Sequence, residues 1–388
     1  MSVLPLLIVL AMSAITLATR FVFFGWRSPD YAICLEHWLE HVREMPGVTS
    51  LAANIGDYNA PYFYILFCIG KLTTVELQMF YLKMVSIAFD ILLAYYVMRL
   101  VRVKRSARPI VGTIAFFITL LLPTVILNSA CWAQCDSVYA ALTLGGVYYG
   151  IEKRGKMCLA MFALALAFKL QTIFLFPLLL ALLLLGNVRW KDIWVFFAVF
   201  AATIAPAVLC GRGVLDTLSI YIKQTGSYSA ATMNAPTIFG LLSLLSINPM
   251  IKFATILFAG ALCLGMVGIL VVKRERVKRA TLLSVAYWFA LTVPFFLPYM
   301  HERYFYVADI LATVYVFANP RRWYLLPLTV IASLLCYLPF LMGADYSMPF
   351  QLSVLSTVIL GMIGMTTYDV LIELGGESLS KMDCRLLS

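Results

Sequence analysis

Charge is what this chain has least of. Of its 388 residues only 12% are Asp, Glu, Lys or Arg, while 63% are hydrophobic. No soluble domain, low-complexity linker or internal repeat interrupts this pattern. Period-2 alternation is missing too, which argues against a membrane β-barrel. The nine cysteines mostly stand alone in apolar runs (Cys68, Cys158, Cys263, Cys336) and show neither metal-ligand spacing nor a disulfide framework. Cys131 and Cys135 are the one pair near enough in sequence to approach each other. A Gly-rich phosphate loop, a zinc-ligand pattern and a Ser-centred nucleophile elbow are all lacking, which removes three common catalytic designs.

What the chain has is apolar length. A helix crosses a bilayer with about 20 residues, and only helices or closed barrels satisfy their backbone groups in lipid. The chain reads as an all-α polytopic membrane protein with about 12 spans. The first, from Val3 to Phe24, has no basic leader and no small-x-small cleavage site, so it reads as retained. Further spans are expected near 77–99, 110–128, 138–151, 157–168, 173–186, 193–210, 251–272, 281–297, 303–318, 323–341 and 351–371.

Most of the 29 lysines and arginines cluster in alternate loops, among them Arg99–Lys104, Lys153–Lys156, Arg189–Lys191, Lys273–Arg279 and Arg321–Arg322. By the positive-inside rule these loops and both termini are cytoplasmic. The net charge of +10 is thereby accounted for, and no nucleic-acid partner is needed. Two long outside loops remain, about 25–76 and about 211–250. The first contains the apolar, aromatic run Pro61–Cys68, too short to span and expected to lie along the membrane surface.

The stretch 157–185 is too long for one span and too short for two, and both flanks are basic. It is expected to rise and return, turning at Lys169-Leu170-Gln171. Each arm then reaches roughly 20 Å, short of the ~30 Å hydrocarbon core. Lys169 would sit where charge is costly without a partner or water, which implies a water-accessible cavity open to the outside.

Ionisable and aromatic groups gather at that depth in five clusters: Asp30-Tyr31 with His37-Trp38; Asp57-Tyr58-Asn59-Ala60-Pro61; Gln134-Cys135-Asp136; Lys169 with Gln171; and His301-Glu302-Arg303-Tyr304. Each also has a plain reading. Asp30 and Asp57 are ordinary loop acids in that reading, Asn59-Ala60-Pro61 is turn chemistry, Asp136 caps a helix, and Glu302 pairs with Arg303. Against it, Arg and Lys near an interface suit a phosphate head group.

In this order the clusters resemble the GT-C glycosyltransferases, in particular the dolichyl-phosphate-glucose-dependent glucosyltransferases of N-glycan assembly and bacterial proteins related to GPI mannosyltransferases. The resemblance covers most of the chain to about residue 318 and departs from the family at Asn59-Ala60-Pro61 and Phe168-Lys169-Leu170-Gln171. It implies a catalytic module over 1–250, a variable helical module over 251–388, and inverting transfer of a hexose from a polyprenyl-phosphate donor to a glycolipid or cell-surface glycan. It implies Asp30 as general base. Donor or substrate contacts are expected from Tyr31, His37, Asp57, Tyr58, Gln134, Asp136, Lys169, Gln171, His301, Glu302, Arg303 and Tyr304. The acidic metal-binding pairs of oligosaccharyltransferases are not evident, so no metal cofactor is expected. Short loops and the lack of a C-terminal retention signal point to a bacterial plasma membrane, with the site facing outside. The rival reading is a transporter or flippase for an anionic lipid-linked sugar, which would want the same cations but usually shows paired broken helices in two halves.

Overall fold

The fold is taken from a computed structural model that describes residues 3–53, 55–56, 58–104, 109–224, 230–243, 248–341 and 349–375. It is all-α apart from two two-residue strands. Among the described residues six helices are long and apolar enough to cross a bilayer, or seven if Pro109–Leu121 and Pro123–Cys131, bent by 52° at Pro123, form one span. The expected count of about 12 is therefore not confirmed. The physical reason is length. Asp136–Ile151, Gly155–Phe168 and Tyr306–Ala318 have 16, 14 and 13 residues, or roughly 20–24 Å at 1.5 Å per residue. They bury most of their surface in protein.

Helix Arg279–Phe296 is the centre of the packing, buried from Thr281 to Phe296. Its Tyr287 ring lies 5.0 Å from that of Tyr315, on helix Tyr306–Ala318. Helix Trp194–Leu209 is the opposite case, with Ala207 as its one buried residue, and it turns an apolar surface outward.

The stretch 157–185 turns where expected. Helix Gly155–Phe168 ends at Lys169, which is extended (φ −153°, ψ 134°), and a 3₁₀ segment, Leu170–Leu175, leads into the returning helix Phe176–Leu184. The two ends come back to one level: the Asn187 side chain donates to the Gly150 carbonyl (3.2 Å). The run expected to lie on the surface is the start of helix Ala60–Leu72, whose Tyr62, Phe63, Leu66 and Ile69 are buried. It packs on helix Glu36–Glu44. Cys131 and Cys135 are both free and buried.

Two buried charges tie the first helix, Val3–Phe21, to helix Val75–Lys104. Arg20 donates to Asp90 Oδ2 (2.9 Å), which also accepts from Ser129 Oγ (2.6 Å). Lys83, fully buried, spends its ammonium protons on the carbonyls of Phe23 (2.8 Å), Phe24 (3.1 Å) and Trp26 (2.7 Å). These carbonyls are the unsatisfied end of the first helix and the turn after it, immediately before Asp30. Lys83→Met orphans the Phe24 and Trp26 carbonyls, the Phe23 carbonyl keeping the Trp26 amide (3.0 Å), and is expected to cost roughly 2–3 kcal/mol, read as a fall of several degrees in Tm of the detergent-solubilised protein. An unchanged Tm refutes this role.

Candidate functional site

Asp30 follows that tethered turn and opens the π-helical turn Tyr31–Leu35. Its Oδ2 accepts from the Gln134 side-chain amide and from Arg303 Nη1 (3.3 Å). Gln134 is held in turn: its Oε1 accepts from the Tyr58 hydroxyl (2.8 Å), and its backbone carbonyl accepts from Ser86 Oγ (2.7 Å). Asp136, the first residue of its helix, pairs with Lys169 through Oδ1 and accepts from Asn128 Nδ2 (2.8 Å) through Oδ2. Arg303 Nε lies 3.7 Å from the same Oδ2. The result is a chain of alternating charge, Lys169–Asp136–Arg303–Asp30, with Glu302 as a branch at 2.9 Å from Arg303.

A second layer of contacts fixes these ions. The Arg303 guanidinium sits 5.2 Å over the Trp132 ring, and the Lys169 ammonium 5.3 Å from the Tyr58 ring. Burial would favour neutral Arg303, but the Asp30 and Glu302 charges outweigh it and hold its pKa well above the ordinary value. Burial alone would raise the Glu302 carboxyl. The hydrogen bond with His301 and the Arg303 charge outweigh that and hold it below its usual 4.5. The Tyr58 hydroxyl is pushed well up, first by burial, and so stays a proton donor.

The loop carrying His301–Tyr304 is pinned by the strand pair Thr232–Met233 with Met300–His301, and the backbone of Tyr299 donates to the Ala231 carbonyl (2.9 Å). His301 Nδ1 stands 3.6 Å from Glu302, and its ring is 5.1 Å from that of Tyr304.

These groups border one open cavity of about 230 Å³. Of the residues singled out by sequence, Asp30, Tyr58, Gln134, Lys169, Gln171, His301, Arg303 and Tyr304 line it, and Asp136 and Glu302 brace it from behind. Tyr31 and His37 do not. Tyr31 is buried in packing, and burial raises its hydroxyl pKa. His37 lies on the exposed side of helix Glu36–Glu44, 3.8 Å from Glu40. Asp57 lies outside the described residues.

Trp38, from the first cluster, and Gly56, which precedes the second, also line the wall, and no sequence motif pointed to its remaining members Ile220, Lys223 and Gln224, from helix Val214–Gln224. The fit of Gly56 explains its identity, since its φ is +72° and a Cβ there would collide with the Trp38 ring. Among the described residues no three His, Cys, Asp or Glu side chains are placed to hold a single metal ion.

Because its folded pKa is lowered, the Glu302 carboxylate contributes stability that is full above the ordinary 4.5 and fades as pH falls through the folded value. Glu302→Gln is therefore expected to lower Tm at neutral pH and to flatten the acid side of the Tm–pH curve. An acid side as steep as that of the wild type would refute this.

No curated protein matches the chain. A family model does, over residues 58–298, more than half of the length. Asp30 and the His301–Tyr304 loop flank the matched segment and are joined to it through Gln134 and Asp136. The chain belongs to glycosyltransferase family 87, a family of the GT-C-type membrane glycosyltransferases that use polyprenyl-phosphate sugars.

Proposed function

We propose that this membrane glycosyltransferase moves a hexose, with inversion, from a polyprenyl-phosphate donor to a hydroxyl of a glycolipid or cell-surface glycan, on the extracytoplasmic face, with Asp30 as general base. The observation that carries this reading is one carboxylate, Asp30, in the same cavity as Lys169, Arg303 and Lys223. Among the described residues, both hydrogen bonds to Asp30 fall on Oδ2, leaving Oδ1 to take the acceptor's proton. The acceptor oxygen attacks the anomeric carbon and the bond to the phosphate oxygen breaks. The electron pair leaves on that oxygen and the proton goes to Asp30. A phosphate leaving group needs little acid assistance, so a base plus cations facing the developing charge suffices. No step calls for a metal ion, and transfer is expected to persist in EDTA.

Charge balance assigns a role to Lys223. Asp30, Asp136 and Glu302 outnumber Lys169 and Arg303, yet the phosphodiester of the donor brings one negative charge and the departing phosphate takes away two. A further cation is needed at the mouth, and Lys223 lines it.

With a panel of polyprenyl-phosphate hexoses and a crude glycolipid acceptor fraction, Asp30→Asn is expected to lower kcat by about a hundred- to ten-thousandfold with donor binding retained. Wild-type rates in the mutant would move the base elsewhere. No transfer from any donor by folded wild-type protein would favour the transporter reading. Lys223→Gln is expected to raise the donor KM about tenfold with far less change in kcat. An unchanged KM would remove Lys223 from donor binding.

A further inference from the structure

The opposite end of the helix that begins at Asp136 carries a second concave surface, roughly 24 Å away along its 16 residues. Two adjoining cavities of about 470 and 590 Å³ open there. The first is lined by Lys153, Arg154, Lys156 and Arg189, with Asp192. The second shares Lys153 and adds Arg274, Lys278 and Arg279, with Glu275. Three of these cations are answered by carboxylates: Arg189 by Asp192 (2.9 Å), Arg279 by Glu152 (2.8 Å) and Arg274 by Glu275 (3.3 Å). Lys153, Arg154, Lys156 and Lys278 make no ion pair among the described residues. Their charge is available to an anion.

The backbone supports a built site. Lys153 ends helix Asp136–Ile151 in the left-handed region, φ 58°, and the backbone of Arg154 donates to the Tyr149 carbonyl (2.8 Å). That closure normally takes glycine, because a side chain in the left-handed region is strained. This chain has lysine at the one strained position common to both cavities. Orienting the protein in a membrane needs only positive charge in the loop, and an unstrained neighbouring position would serve it equally.

An apolar flank indicates what kind of anion fits. Met157, Leu184, Trp190 and Trp194 stand exposed beside the first cavity, and the Lys156 ammonium lies 6.0 Å from the Trp194 ring. Exposed tryptophans beside apolar helices mark the depth of lipid head groups. A soluble anion would gain nothing from this wall, whereas acyl chains would run down it. We propose that these cavities form a binding site for the phosphate head group of an anionic glycerophospholipid in the leaflet opposite the Asp30 cavity, with Lys153 at its centre. Basic pockets between spanning helices bind such head groups, at about a fivefold gain in affinity for each cation near the surface.

The purified full-length protein in detergent tests this by Tm during titration with phosphatidylglycerol, phosphatidylcholine or inorganic phosphate. Phosphatidylglycerol is expected to raise Tm saturably and the other two are not. Lys153→Gly keeps the turn and removes the charge, so its lipid-free Tm should equal or exceed that of the wild type. Its apparent affinity for phosphatidylglycerol should fall about fivefold, and that of the triple variant Lys153→Gly, Lys156→Gln, Lys278→Gln roughly a hundredfold. Wild-type affinity in Lys153→Gly, or equal stabilisation by phosphatidylcholine, overturns the proposal. So does full stabilisation by inorganic phosphate, which would mark a free-anion site. A lipid-free Tm of Lys153→Gly well below that of the wild type also overturns it, since the lysine would then be holding the turn.

Discussion

The structure depends on how it keeps charge inside a low-charge protein. An isolated ion moved out of water costs several kcal/mol even after relaxation, and Lys169 and Asp136 are nearly inaccessible, with side-chain exposures of 8% and 2%. They are tolerable because Asp136 and Arg303 sit between opposite charges, Lys169 lies beside the Tyr58 ring, and Asp30 accepts from Arg303 and Gln134. The members come from different places: a break between two short helices, a helix start, the loop after helix Arg279–Phe296, and the turn after the first helix. Satisfying the charges therefore fixes where those segments meet. Such a chain is weak evidence of stability, since well-packed apolar residues would do as well. Its value lies in holding ionised groups at fixed positions in a cavity.

Local strain serves the same arrangement. Ala133 has φ 61°, a left-handed conformation that costs a non-glycine residue about 1–2 kcal/mol. It lies between Trp132, which faces Arg303, and Gln134, which bonds Asp30. Hydrogen bonds on both sides impose it. Ser28 Oγ donates to the Trp132 carbonyl (2.9 Å), Ser86 Oγ donates to that of Gln134 (2.7 Å), and the Gln134 backbone amide donates to the Asn128 carbonyl (3.0 Å). The strain aims two consecutive side chains at two members of the ion chain.

What the sequence made legible was charge against length. Basic flanks around 157–185 required the chain to return, and the structure breaks the helix at Lys169. The ordered polar clusters pointed to the GT-C type, and family 87 belongs to it. What stayed hidden was tertiary. Hydropathy does not distinguish an apolar helix facing lipid from one buried in protein, so the count of about 12 spans is not confirmed by the six or seven long apolar helices among the described residues. His37 neighbours Asp30 in sequence, yet Leu35, Leu39 and Val42 mark the buried face of that helix and leave His37 outside. Helix Val214–Gln224 lies far from the other clusters in sequence, so nothing in its own pattern brings Lys223 to the cavity.

Under the two proposals, the ends of helix Asp136–Ile151 would meet phosphate under different physical rules. At the Asp136 end Lys169 and Arg303 are buried and already paired, so an incoming phosphate would have to share them with carboxylates. Recognition there is selective because the exchange succeeds only with the right geometry. At the Lys153 end four cations stand exposed and make no ion pair among the described residues, and the surrounding water screens them. Attraction there is weaker for each charge and less exacting in shape, which suits a loosely specific lipid contact better than a reaction. Burial, more than residue type, separates the two behaviours in one protein.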